Sequence, residues 1–302
     1  MENELCGVIL VDKHGGVTSH DIVFKIRRLF GTKKVGHTGT LDPLATGILP
    51  VLVGRAAKAA EYLLSENKCY EAEIKLGIET DTEDITGKVL STSPSIPTKG
   101  ELFEACKKFV GKIEQIPPMY SALKVNGQKL VDLAREGKVV ERQAREIEIF
   151  SIEPQAVDEE KGLYALKVAC SKGTYIRTLC ADIGRALGCG AVMSKLRRTK
   201  TGGFEIENAY TIEQLEKMTL EQRQSLLIPT EELFMEADKV ILPDFYARLF
   251  RSGCEIYQKK IKTSYPVSEF LRIYDKDGFF ALGQVQEYPD GTAIKSVKLF
   301  KL

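Results

Sequence analysis

The chain has 302 residues, 43% of them hydrophobic, and its 43 Lys and Arg against 42 Asp and Glu leave a net charge of +1. That is apolar material for one large domain and a small one, and too much for a disordered chain. Seven scattered cysteines without a Cys-x-x-Cys pair, and only three histidines, argue against zinc, redox and histidine-built metal sites and fit a reducing cytosol. No apolar run approaches the ~20 residues of a membrane-spanning helix, and the first residues carry no basic, apolar export signal, so a cytoplasmic location is expected.

Residues 7–11 form a short apolar run that predicts a buried strand. Thr18 and Ser19 offer an N-cap, Ile22, Val23, Ile26, Leu29 and Phe30 follow at helical spacing, and Gly31 supplies a stop. The stretch 36–47, Gly-His-Thr-Gly-Thr-Leu-Asp-Pro-Leu-Ala-Thr-Gly, then places a single carboxylate among three glycines and a proline. Pro43 fixes its own φ and pushes Asp42 toward an extended conformation. A carboxylate held there is aimed, unless it merely closes an Asx-turn. The loop lacks both phosphate-binding glycine patterns, and Asp42 would repel a phosphate, which disfavours phosphoryl transfer.

Residues 55–66 predict an Ala-rich helix with Ala56, Ala59, Tyr62 and Leu63 inward. In 68–76, Tyr70, Ala72, Ile74 and Leu76 alternate with mostly charged residues, the pattern of a half-buried strand. Residues 91–97 read as a polar loop, and Thr98 with Glu101 makes a capping box for a helix to Val110, stopped by Gly111. Residues 116–124 are extended, Asn126-Gly127 is a turn, and a short helix runs to Gly137. Residues 144–153 and 162–171 predict a hairpin. Gly173 then turns the chain into a helix with Ile176, Leu179, Ile183 and Leu187 on one face and Arg177 in its first turn. A cation there opposes the macrodipole; it is either a surface arginine or the partner of a carboxylate. Linking helices are expected over 211–237, and a small β-rich unit from about Asp238.

The charges are segregated. Lys25, Arg27, Arg28, Lys33 and Lys34 form one basic run, Lys195, Arg197, Arg198 and Lys200 a second, and Arg248, Arg251, Lys259, Lys260 and Lys262 a third, while acids gather between Glu79 and Asp84. Three such groups suit a polyanion even at near-zero net charge, although each alone is more often a solvated face.

The stretch 37–47 resembles the catalytic signature of the TruB family of tRNA pseudouridine-55 synthases, in which the Asp of Gly-x-Leu-Asp-Pro is the catalytic carboxylate. Further matches support the resemblance. Residues 12–19 are similar to the family's Asp-Lys-Pro-x-Gly-x-Thr-Ser, with His14 in place of Pro after Lys13. Residues 77–82 resemble the second signature, whose preceding Tyr, here Tyr70, stacks on the target base. Residues 172–177 resemble Lys-Gly-x-Tyr-Ile-Arg, whose arginine, here Arg177, pairs with the catalytic Asp. Leu196 and Tyr175 resemble residues that wall the uracil pocket, though both also read as core. Residues 279–285 resemble, more weakly, a strand of a PUA RNA-binding domain.

The resemblance implies an α+β pseudouridine synthase fold with a mixed, mainly antiparallel sheet and a catalytic cleft, over residues 1–237, plus a PUA-like domain over 238–302. It implies catalysis by Asp42, Tyr70 and Arg177, substrate binding by His37, Tyr70, Tyr175, Leu196 and Lys13, and a monomer acting on the T stem-loop of tRNA without a protein partner. The reaction detaches uracil from C1′, rotates it and rejoins it through C5, so no electron or group carrier enters and neither cofactor nor metal is expected. Two other readings compete: an RNA-binding, tRNA-folding protein with dispensable catalysis, and a guide-RNA-dependent synthase acting on ribosomal RNA. The joint presence of Asp42, Tyr70 and Arg177 speaks against the first, and an opening motif that starts at residue 7 against the second.

Overall fold

In the computed structural model, which describes residues 5–62, 67–121, 123–125 and 127–301, the first apolar run forms β1 (Cys6–Lys13). Thr18 caps α1 (Ser19–Phe30) through a reciprocal box with Asp21, and Gly31 closes the helix in the left-handed region at φ 62°. Strands β2 (Val35–His37) and β3 (Thr46–Gly54) bracket the glycine-rich loop. There follow β4 (Lys68–Leu76), the hairpin β5 (Ile78–Thr80) and β6 (Val89–Thr92), α2 (Lys99–Lys107), β7 (Gly111–Gln115), the two-residue strands β8 (Lys124–Val125) and β9 (Gln128–Lys129), and α3 (Leu130–Arg135). The long hairpin β10 (Arg145–Asp158) and β11 (Leu163–Cys170) leads to α4 (Ile176–Ala186), β12 (Ala191–Thr201) and β13 (Phe204–Glu205).

Nine of these strands build one mixed sheet in the order β1-β3-β12-β4-β11-β10-β7, with β2 on β3 and β13 on β12, while β5–β6 and β8–β9 pair separately. Among the described residues its one parallel pairing is β3 with β12, where Arg198 stands opposite Gly47. The continuous apolar runs of β1 and β3 have a physical reason: both faces are covered. Ile9, Val11, Leu49, Val51 and Val53 join the core under α1, α2 and α4, while Val8, Leu10, Ile48 and Leu52 face the other way.

The second core is shared with the C-terminal unit. Two short helices, α5 (Ile212–Glu216) and α6 (Leu220–Ser225), pack against α1, and the flanking Tyr210 and Ile228 are hydrogen-bonded to the backbone of β1. Then β14 (Asp238–Ile241), α7 (Asp244–Arg251), β15 (Ile256–Tyr257), α8 (Gln258–Ile261), β16 (Phe270–Asp275), β17 (Gly278–Tyr288) and β18 (Gly291–Leu299) form a five-stranded sheet, β14-β16-β17-β18-β15. Phe234, Tyr274, Phe279, Leu282 and Phe300 from this side bury Val8, Leu10, Ile48 and Leu52. Apolar contact of that kind resists hinge motion between the two sheets.

Several local expectations are corrected. The Ala-rich segment is a 3-10 helix over Arg55–Tyr62; its buried Ala56 and Ala59 lie three apart, and side chains at i and i+3 eclipse in a three-residue repeat. Leu63 of that segment, and Asn126 of the expected turn, lie outside the described residues. The helix capped by Thr98 and Glu101 ends at Lys107, not Val110, and Gly111, at φ 104°, opens β7. Ser91 and Thr92 belong to β6 rather than to a loop.

Candidate active site

The glycine-rich loop is held from below by its neighbours. The Ser19 hydroxyl, at the start of α1, accepts from Leu41 N at 2.8 Å and donates to Leu41 O at 3.1 Å. Gly16 N donates to Pro43 O at 2.8 Å, and Ala45 N to Asp42 O at 3.1 Å. The Lys13 ammonium is fully buried and donates to the carbonyls of Ala45, His14 and Pro43 at 2.6, 3.0 and 3.4 Å. Burial pushes its pKa down to about 8 against the pull of Asp42, so it stays largely protonated at neutral pH. The structure thus places Lys13 beneath the loop, its donors taken by backbone, while His14 beside it is exposed.

The turn at Asp42 is closed by its own carbonyl, which leaves the carboxylate to reach Arg177. Arg177 Nη2 donates to Asp42 Oδ1 at 3.2 Å, and Nε lies 2.8 Å from Oδ2. The Nε contact is an ion pair without a well-directed hydrogen bond. The guanidinium is only 4% exposed, and the same fork donates to Thr82 O at 3.1 Å and Tyr120 O at 2.8 Å. A second carboxylate oxygen, Asp84 Oδ2, stands 3.7 Å from Nη1. Asp84 is itself fixed through Oδ1, which accepts from Thr82 Oγ1, Thr86 N and Thr86 Oγ1 at 2.9, 3.0 and 2.5 Å. The arginine in the first turn of α4 is therefore a buried partner of two carboxylates, and its cost against the macrodipole is offset by them.

Asp42 keeps 35% of its side chain open, yet burial of the carboxyl by the surrounding chain raises its pKa above the ordinary 3.8. Arg177 pulls it down, Asp84 pushes it up and Lys13 pulls it down. An ionised carboxylate here is thus maintained by its cations rather than by water.

Tyr70 on β4, within electrostatic reach of Asp42, is 8% exposed, and burial pushes its phenol up to about 12. Leu196 on β12 is 7% exposed and lies opposite Ala72. Tyr175 is the N-cap residue of α4, where Gln115 clamps its backbone with bonds of 2.8 and 3.0 Å; burial raises its pKa, and Arg177 and Asp42 are both within electrostatic reach. His37 on β2 is half-buried with Nδ1 out of solvent, and burial and Arg198 keep the ring neutral. Asp42, Arg177, Tyr70 and Tyr175 therefore share one site, with Leu196 and His37 on the neighbouring strands and Lys13 behind the loop.

One basic side chain was misplaced by sequence reasoning. Arg198, counted in a basic surface run, is 1% exposed and donates through Nε to Ile48 O at 2.9 Å and through Nη2 to Gly39 O at 3.4 Å. Arg197 turns the other way and clasps Asp12 at 3.1 and 2.8 Å. Strand alternation counted from buried Leu196 was the signal that would have separated the two. Gly47 allows the close approach at this crossing: at φ 105°, an added Cβ would lie 2.2 Å from Arg198 O. Gly47→Ala is expected to cost ~2–5 kcal/mol through backbone strain and overpacking, read as a fall in the denaturant midpoint.

Comparison with known proteins matches residues 27–176 to the TruB family pseudouridylate synthase N-terminal domain and residues 177–243 to the tRNA pseudouridylate synthase B C-terminal domain. The tRNA pseudouridine synthase B of Clostridium tetani is 43% identical over 279 residues, 92% of this chain and 95% of that protein. The chain belongs to the TruB family of pseudouridine synthases. A further TruB-family relative, the tRNA pseudouridine synthase B of Oceanobacillus iheyensis, is 49% identical over 74% of each chain. Among solved structures, a Cbf5-Nop10-Gar1 complex matches at TM-score 0.70 and 26% identity over 98% of this chain and 85% of the other. An H/ACA ribonucleoprotein bound to a substrate RNA containing 2′-deoxyuridine shares the fold at TM-score 0.72 and 24% identity, over 98% of this chain and 85% of the other. This TruB-family chain thus has the α+β synthase fold with a mixed, mainly antiparallel sheet, and a small β-rich C-terminal unit.

Proposed function

We propose that this pseudouridine synthase acts on tRNA, isomerising uridine 55 of the T stem-loop as a monomer in the cytoplasm, without guide RNA or protein partner. The observation that carries the reading is the Asp42 carboxylate, held on the family's signature loop against the buried Arg177 fork and within electrostatic reach of Tyr70. Near-full-length likeness to proteins named tRNA pseudouridine synthase B favours tRNA over a guide-directed target.

The target base must leave its stack, at a cost of a few kcal/mol. His37, a neutral ring beside the loop, braces the space it leaves. Tyr70 stacks on the flipped uracil, a contact worth ~1–3 kcal/mol, with Leu196 and Tyr175 walling the pocket. Ionised Asp42 supplies the charge that triggers departure of uracil from C1′; Arg177 holds that carboxylate ionised and in place, and Lys13 and Ser19 hold the loop that bears it. With its pKa at about 12, Tyr70 works as a neutral phenol near C5, where a proton must leave. Residues 238–302 act as an RNA-binding domain, through Arg248 of α7 and Lys259 and Lys260 of α8.

The test is release of the uridine C5 hydrogen from an unmodified tRNA transcript incubated with the purified protein alone. Release from that transcript, lost when uridine 55 is replaced by cytidine, is the expected result; a requirement for a second RNA or protein would instead support the guide-dependent reading. Binding gives a second check. Lys33 and Lys34 are exposed beyond α1, and replacing both with alanine is expected to flatten the dependence of log affinity on log salt by roughly 0.7–0.9 per lost phosphate contact. Turnover at saturating tRNA stays unchanged in that variant, because phosphate contacts position and base contacts specify.

A further inference from the structure

Glu83 takes no part in the chemistry above, yet three features constrain it. Its φ of 63° puts a non-glycine residue in the left-handed region, which costs ~1–2 kcal/mol for an L side chain. Its Oε2 accepts a 2.6 Å bond from Thr178 Oγ1, and Thr178 is the buried residue that follows Arg177 in the first turn of α4. Both of its chain neighbours touch the arginine: Thr82 O accepts from Nη1 at 3.1 Å, and Asp84 Oδ2 lies 3.7 Å from Nη1.

The backbone of the hairpin tip is fastened as well. Met193 N donates to Glu83 O at 3.1 Å and Ile85 N to Met193 O at 3.0 Å, so the tip lies on β12 three residues before Leu196. Strained backbone persists where surrounding contacts over-determine it, and clusters where geometry matters to function. Loop closure alone would favour glycine or asparagine at this φ, so a glutamate bonded across to α4 needs a reason beyond the turn.

We propose that Glu83 is a positioning residue for Arg177: by tying the tip of the β5–β6 hairpin to the first turn of α4, it holds the Thr82 carbonyl and the Asp84 carboxylate against the guanidinium and so sets the edge that Arg177 presents to Asp42. The inference rests on the pseudouridine synthase reading for its effect on rate, and on the geometry alone for its effect on the arginine.

The experiment uses four variants of the full chain. Glu83→Gly keeps the left-handed turn without strain and removes only the tether; Thr178→Val removes the donor at the same shape; Glu83→Gln keeps an acceptor; Glu83→Gly with Thr178→Val removes both ends. Single-turnover isomerisation at saturating tRNA is expected to fall about 10- to 100-fold in each tether-breaking single variant, the scale of a misplaced catalytic group. Affinity for tRNA and melting temperature stay near wild type, Glu83→Gln restores the rate, and the double variant is no slower than either single one. The Arg177 Nε–H resonance of the RNA-free protein, assigned by its absence in Arg177→Lys, shifts in Glu83→Gly and Thr178→Val and returns in Glu83→Gln. A wild-type rate and an unmoved resonance in Glu83→Gly overturn the inference, as do multiplicative losses in the double variant. If the unaltered protein releases no C5 hydrogen, the functional reading falls and the resonance alone decides on Glu83.

Discussion

Replacing Asp42 with asparagine is expected to abolish isomerisation while tRNA affinity and melting temperature stay near those of the unaltered protein. The amide has the shape of the carboxylate and none of its charge. Stability survives because Arg177 is left with Asp84 and with the carbonyls of Thr82 and Tyr120, so no buried cation is stranded. Single-turnover assay decides the point: retention of a tenth of the wild-type rate amounts to only ~1.4 kcal/mol of barrier, too little for the central group, and would remove Asp42 from the mechanism. In the wild type, the raised pKa of Asp42 moves the acid limb of the rate to higher pH than an ordinary aspartate would give. The sign for stability is opposite to that of a salt-bridged carboxylate with a depressed pKa. Ionised Asp42 opposes folding above its raised value, and that opposition eases as pH falls through it and is gone below the ordinary 3.8.

Arg177→Met is expected to have the second largest effect, on both rate and stability. It removes the fork that pairs Asp42 and Asp84 and leaves two carbonyls without a donor. Breaking a buried ion pair by deleting one partner costs ~3–5 kcal/mol, and the melting temperature reports it. Burial and Asp84 then act on Asp42 unopposed by the arginine, so its pKa rises further and the acid limb of the remaining activity shifts to still higher pH. Arg177→Lys keeps the charge and loses the fork, and falls between the two. An acid limb in Arg177→Met that coincides with the wild-type limb would show that Arg177 does not set the ionisation of Asp42.

Much of this site was legible in the chain order of its residues. Pro43 after Asp42, the capping pair Thr18 and Asp21, and the alternation from Tyr70 to Leu76 are local rules of backbone and pattern. They act within a few residues, which is why they survive in the folded protein unchanged. The resemblance pointed to Asp42, Tyr70, Tyr175 and Arg177, and the structure brings Asp42 and Arg177 into direct contact.

Local rules along the chain thus set the strands, the capped helices and the loop that aims a carboxylate. Which of these elements meet is a matter of long-range packing. The pairing of Arg177 with Asp42, which the resemblance implied, forms across 135 positions; that Asp84 in an acidic run shares the same guanidinium, and that Arg198 turns inward while Arg197 pairs with Asp12, depend on strand register between distant segments. A one-residue shift of β12 on β4 would exchange the faces of Leu196, Arg197 and Arg198. Register is set by the summed packing of both cores against the sheet, and no single stretch of sequence carries that sum.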